Sequence, residues 1–240
     1  MSLLSGLSTP ADVVEEKDII GGGVYQVDSG VYDAVINSAY VQKNDKGTLV
    51  LHLDAKLDND FELRQRISLT KRTGETFYVT KTGEKFPMSG FVVGEALALF
   101  GAQKPLSELK SETKVVKVYN KELKKEVPEE VPMLTELVGK PVKLAIKKII
   151  KPSGSYNEAG EWVEDHTKEF TFNEIDKVFH PKSGMTVPEI RAKKEEAEFI
   201  NDWKEKWEGK VDNQIDAAKA GAGTGSSAVG GTKPTSSLFK

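Results

Sequence analysis

Leu49-Val50-Leu51-His52-Leu53-Asp54-Ala55-Lys56-Leu57 and, after Asp58-Asn59-Asp60, Phe61-Glu62-Leu63-Arg64-Gln65-Arg66-Ile67-Ser68-Leu69 are the two runs that decide the fold class. In both, apolar residues recur at every second position. Successive side chains of a strand point to opposite faces, so this period of two marks half-buried β-strands. Asp58-Asn59-Asp60 is turn chemistry, because short Asp and Asn side chains satisfy nearby backbone groups. Upstream, residues 31–41 are rich in β-branched and aromatic side chains. Lys43-Asn44-Asp45-Lys46-Gly47 then supplies a hairpin turn, with Gly47 free to take a positive φ. The three runs predict an antiparallel meander.

Further along, Thr76-Phe77-Tyr78-Val79-Thr80 reads as a fourth short strand, entered through Lys71-Arg72-Thr73-Gly74 and left through the turn at 81–86. Ser89 is a candidate N-cap for an apolar helix over 90–100, ended by Gly101. Residues 113–119 form another β segment, and Pro128 and Pro132 bracket an acidic loop at Glu129 and Glu130. One or two helical turns at 133–138 stop at Gly139, before a basic strand over 141–151. Trp162 to Phe172 reads as the return strand of a hairpin. Pro188 opens a polar helix to about Glu208, on which Ile190, Ala197, Ile200, Trp203 and Trp207 fall at helical spacing, a packing stripe rather than a stacking platform.

The expected fold is mainly β with peripheral helices: an OB-like five-stranded barrel plus a C-terminal hairpin and helix and a disordered tail. Other small barrels and sandwiches share this order of elements. Residues 1–23 are a flexible arm ending in Gly21-Gly22-Gly23, and 24–208 form the domain. Its barrel core lies at about 31–151, with the hairpin and helix at 152–208. Residues 209–240 are rich in Gly, Ala, Ser and Thr and are expected to be disordered.

The 240 residues contain no cysteine, which removes disulfides, thiolate catalysis and Cys-based metal sites from consideration. No apolar run approaches the ~20 residues that span a bilayer, and the N-terminus lacks a signal pattern. A soluble, cytoplasmic protein is the expectation. Residues 31–151 carry 21 basic and 16 acidic side chains, a basic middle in a chain of net charge −3.

His52, His166 and His180 show no metal-ligand spacing, and no phosphate-cradling or nucleophile-elbow motif occurs. Asp54, Asp58 and Asp60 form an acidic group, but the last two lie in a turn where Asp is locally favoured. The expectation is a non-enzymatic protein without metal or cofactor. A single-strand binder needs cations along a backbone track and aromatic faces for bases. The candidates are Lys43, Lys46, Arg64, Arg66, Lys71, Arg72, Phe77, Tyr78, Lys81, Lys85 and Phe86, with Lys143 and Lys147 on the late strand. Phe77 and Tyr78 face opposite sides of their strand, so one is expected in the core and the other exposed.

The layout resembles that of single-stranded-DNA-binding proteins of tailed bacteriophages. The resemblance covers roughly 24–208. It rests on Gly30-Val31-Tyr32 leading a meander, Thr76-Phe77-Tyr78-Val79-Thr80 before a turn and helix, and residues 134–142 before the last barrel strand. Asn173-Glu174-Ile175-Asp176-Lys177-Val178-Phe179 and the stretch from Thr186 to Trp203 then lead to a low-complexity tail. It implies an OB-fold, sequence-independent coating and protection of single-stranded DNA in phage replication and recombination (hence the host cytoplasm), and a tail that recruits replication, recombination or transcription proteins. In many such proteins the tail is strongly acidic. Here 209–240 carries Lys210, Lys219, Lys233 and Lys240 against Asp212 and Asp216, leaving Leu238, Phe239 and Lys240 as a partner-docking end. The alternatives are a protein-interaction module and, third, a metal-dependent nucleic-acid enzyme.

Overall fold

The computed structural model describes residues 26–120, 123–157 and 162–215. The expected arm at 1–23 and the tail residues Leu238, Phe239 and Lys240 lie outside the described residues.

The architecture is mainly β. Strands β1 (Gly30–Lys43), β2 (Leu49–Leu57) and β3 (Glu62–Ser68) form the meander. Its first turn is closed by Asn44, whose side-chain oxygen accepts from the N–H groups of Lys46 and Thr48, both at 3.0 Å. That turn sets Lys43 opposite Leu49 and therefore Tyr40 opposite His52. The second turn is held by Asn59, which accepts from the Phe61 N–H at 3.1 Å. A short hairpin follows, β4 (Phe77–Val79) with β5 (Lys85–Pro87). Helix α1 (Ser89–Ala102) comes next.

A second hairpin pairs β6 (Glu112–Asn120) with β7 (Lys125–Met133). Two long strands, β8 (Pro141–Tyr156) and β9 (Trp162–Phe179), then pair antiparallel. Helices α2 (Val187–Arg191) and α3 (Phe199–Trp207) and strand β10 (Val211–Asn213) complete the described chain. Hydrogen-bonded pairing runs β9-β8-β1-β2-β3, with β10 parallel to β8, and β7 joined to β1 at Tyr40 and Met133. No ladder joins β3 to β9 among the described residues, so the sheet is not closed.

Helix α1 packs between these two free edges. Its Val93, Ala96 and Leu97 meet Leu51, Leu53, Leu144, Ile146, Ile175 and Val178 in the main core. Burying each large apolar side chain is worth ~1.5–3 kcal/mol. The approach of helix to sheet is close: a Cβ on Gly90 would stand 2.2 Å from the Ser68 carbonyl oxygen.

Five expectations are revised. Ser89 does not cap α1; the N-cap is Met88, without a side-chain bond, and the helix runs through Gly101 to end where Gln103 turns left-handed (φ 58°). The core does not stop near 151, because Ile175 and Val178 of β9 belong to it. The stretch from Trp162 to Phe172 is the first part of an 18-residue strand whose far end is buried. The 188–208 helix is two helices. Between them the buried Glu189 carboxylate accepts from Thr186 on one oxygen and from the N–H groups of Glu198 and Phe199, both at 2.9 Å, on the other. One carboxylate thus caps both helix starts. The expected tail boundary at 209 also gives way, since β10 pairs with β8 and Ile215 is buried. No described helix is long and apolar enough to cross a membrane.

Candidate nucleic-acid interface

Alternation places the inward side chains Leu63 and Ile67 of β3 in the core and turns Arg64 and Arg66 outward, both exposed. Their cross-strand partners on β2 are Asp54 and His52, and those of β2 on β1 are Ser38 and Tyr40. The outer face of the meander therefore reads in two rows, Tyr40–His52–Arg66 and Ser38–Asp54–Arg64. The Tyr40 and His52 rings stack, with centroids 4.6 Å apart and planes 10° from parallel. Ser38 donates to Asp54 at 3.1 Å.

Electrostatics follow from this arrangement. Burial and then the Arg66 charge lower the His52 pKa, against the opposing pull of Asp54. Burial, then Asp54 and Glu129, raise the Tyr40 pKa, while Arg66 lowers it. His52 is half-buried, with Tyr40 stacked on its ring. The turn chemistry at 44–47 contains that signal, because a hairpin register counted from the turn puts 40 against 52.

The β6–β7 hairpin borders this face. Val131, Met133 and Tyr40 form a small apolar cluster with Val116, and Gln42 donates to Glu129 at 2.6 Å. Arg64 reaches Glu126 at 3.8 Å, with both side chains largely exposed. Such a pair contributes ~0–1 kcal/mol, so the guanidinium remains available to a phosphate.

At one end of the meander the two turns rich in cations touch. The Leu49 N–H donates to the Thr70 hydroxyl at 3.0 Å, and a Cβ on Gly47 would stand 3.1 Å from the Arg72 carbonyl oxygen. Lys43, Lys46, Lys71 and Arg72 are thereby gathered around one edge. The chain continues from there into the β4–β5 hairpin. Tyr78 and Phe86 face each other across it, stacked at 5.8 Å and 22°, and are 48% and 37% exposed. On the other side Lys85 sits 4.8 Å over the Phe77 ring, and Lys81 lies exposed in the turn. Phe77 is half-buried but is not part of the core clusters, so the expectation that one of the two aromatics enters the core gives way to a hairpin that carries both at the surface. Three residues per strand are too few to hide both faces of a ribbon.

Lys143 and Lys147 are placed elsewhere. Lys143 is bonded to Asp33 at 2.6 Å, directly across β1. The Lys147 ammonium lies 3.1 Å from Asp176 and 4.0 Å over the Trp207 ring. Asp176 also accepts from the Trp203 indole N–H at 2.7 Å. Trp203 is buried with Ala145 and Phe179, so α3 is latched onto the back of β8 and β9 and the tryptophans are a packing stripe. Eleven of the thirteen sequence candidates thus lie on the meander, the β4–β5 hairpin and the turn between them, while Lys147 serves the α3 side and Lys143 is tied to β1.

The acidic candidates do not converge. Asp54 is held by Ser38 on the face of β2, and Asp60 is paired with Lys56 at 2.7 Å in the turn. No group of three or more potential metal ligands occurs among the described residues. His180 accepts from the Ser183 N–H at 3.1 Å and packs its ring edge-on to Phe100.

No family model matches the chain, and no curated protein matches it.

Proposed function

We propose that this chain binds and protects single-stranded DNA without regard to sequence and without catalysis. The observation that carries the reading is the β4–β5 hairpin. Its exposed Tyr78–Phe86 pair stands on the same ribbon as Lys81 and Lys85, downstream of the cationic edge formed by Lys43, Lys46, Lys71 and Arg72 and the outward Arg64 and Arg66. Aromatic faces take any base at ~1–3 kcal/mol each, and cations track the phosphates.

An OB-like barrel is the fold we infer around it. Support comes from the order β9-β8-β1-β2-β3 and from α1 lying between β3 and β8 in the chain while packing against β3 and β9. At the unpaired seam a side chain replaces the ladder: Gln65 donates to the Asn173 carbonyl at 2.8 Å. A role in phage replication or recombination, in a host cytoplasm, and docking of partner proteins through Leu238, Phe239 and Lys240 complete the proposal.

The test is a titration of oligo-dT at two salt concentrations, with duplex of equal length as competitor. Preference for the single strand and a steep loss of affinity with salt are expected, because bound cations release counterions. Equal affinity for duplex refutes the reading.

A further inference from the structure

The two free edges of the sheet meet at Gln65 and Asn173. On β9, Asn173 and Ile175 are buried, which turns Phe170, Phe172 and Glu174 to the outside. On β3, Leu63 and Ile67 are buried, which turns Arg64 and Arg66 outward. Arg64 and Phe172, the chain neighbours of the touching pair, therefore stand on one outer surface on either side of the seam. Along that surface the Phe170 and Phe172 rings stack at 5.4 Å and 21°. Phe170 is 46% exposed, and the Lys151 ammonium lies 5.1 Å from the Phe172 centroid.

We propose that Phe170 is a second base-stacking surface, with Phe172 behind it and Lys151 as its phosphate cation, extending the single-strand track across the β3–β9 seam. This rests on the single-strand reading above. A base cannot enter between two rings already in contact, and Lys151 covers a face of Phe172, so the open face of Phe170 is the one offered. The β4–β5 hairpin likewise carries an exposed aromatic pair, but its Lys85 covers Phe77 on the opposite face of the ribbon, whereas Lys151 covers a member of the Phe170–Phe172 pair itself. The chemistry selects the occupant. An apolar protein surface pressed onto Phe170 would strip water from the Lys151 ammonium without replacing it. A polynucleotide supplies a base to the ring and a phosphate to the ammonium together.

The experiment titrates oligo-dT of increasing length into the unaltered chain and into Phe170→Ala, Phe170→Trp and Lys151→Gln, with a thermal melt of each. Phe170→Ala is expected to match the unaltered chain on the shortest oligonucleotide that binds and to lose at least about fivefold on longer ones. Phe170→Trp keeps full affinity, and Lys151→Gln flattens the salt dependence by about 0.7 in logarithmic slope on long oligonucleotides only. Full affinity of Phe170→Ala at every length, or an equal loss at every length, overturns the proposal while leaving the single-strand reading in place. An unaltered chain that binds no oligo-dT overturns both.

Discussion

The side-chain amide of Asn173 meets both main-chain groups of Val27, accepting from its N–H at 3.0 Å and donating to its carbonyl at 2.8 Å. The amide stands in for a strand neighbour. It holds the chain just before β1 against β9, and Gln26 adds a bond to the Thr171 carbonyl. Because the Asn173 carbonyl also receives Gln65, one residue ties β3, β9 and the entry to β1 together at the unpaired seam.

Replacing Asn173 with Ala leaves the buried Val27 groups without partners. The expected cost is ~1–3 kcal/mol, read as a lower urea midpoint at unchanged m-value. Asn173→Asp should cost more at neutral pH, since it turns a carboxylate toward the Val27 and Lys147 carbonyls that the amide now serves.

Glu189 makes stability depend on acid. Burial opposes its ionisation, but the N–H groups of Phe199 and Thr186, the Thr186 hydroxyl and the Glu198 N–H outweigh it and hold its carboxyl below the ordinary glutamate value of 4.5. The folded pKa lies below the unfolded one, so protonation favours the unfolded chain. The contribution is full above 4.5 and is lost as pH falls through the depressed folded value. Glu189→Gln should lower stability at pH 7 by ~1–3 kcal/mol. It should also vary less than the unaltered chain across that acid window in pH-resolved unfolding by circular dichroism.

Tyr78→Ala and Phe86→Ala remove exposed rings from a two-stranded ribbon. Each should weaken oligo-dT binding by ~1–3 kcal/mol while the melting temperature stays within a degree or so. A melting temperature that falls in step with affinity would assign the rings to folding instead.

Lys147 gives the converse. Its ammonium is committed to Asp176 and the Trp207 ring, so Lys147→Gln should loosen α3 and lower the melting temperature. Oligo-dT affinity should stay within about twofold, whereas Arg66→Gln, on the outward face of β3, should lose affinity and reduce the salt slope by about 0.7.

Gly90→Ala inserts a methyl group 2.2 Å from the Ser68 carbonyl oxygen, which cannot swing aside as a side-chain tip would. Displacing α1 from β3 should cost ~1–3 kcal/mol or more. The same displacement would widen the cleft of about 250 Å³ that runs between Arg66, Ser89 and Glu174. The check is a urea unfolding series alongside the oligo-dT titration.

Much of the front face was legible from local chemistry. Alternation about Leu51 and Leu63 assigns Arg64 and Arg66 to the outside, and Asn44 with Gly47 sets the register that opposes Tyr40 and His52. The grouping of Lys43 and Lys46 with Lys71 and Arg72 was not, because it depends on two turns that touch through Thr70 and Gly47. Nor was the commitment of Lys147, since Asp176 and Trp207 lie 29 and 60 positions away and pattern along one strand carries no information about what packs on it. The exposure of Phe170 is hidden from the sequence for a related reason. Phe170 lies in a run read as an appended hairpin, whereas its strand continues into the core at Ile175 and Val178.

By itself the sequence determined the mainly β character, the meander and its turns, and the surface position of the β3 cations, all of which follow from side-chain period and short-range hydrogen bonding. Tertiary structure alone decided which strand ends share a seam, which lysines are tied into ion pairs, and that Arg64 and Phe172 flank the Gln65–Asn173 contact. The seam joins residues 108 positions apart through Gln65 and Asn173, and α1, which packs against both strands, is a neighbour that no pattern along either strand reveals.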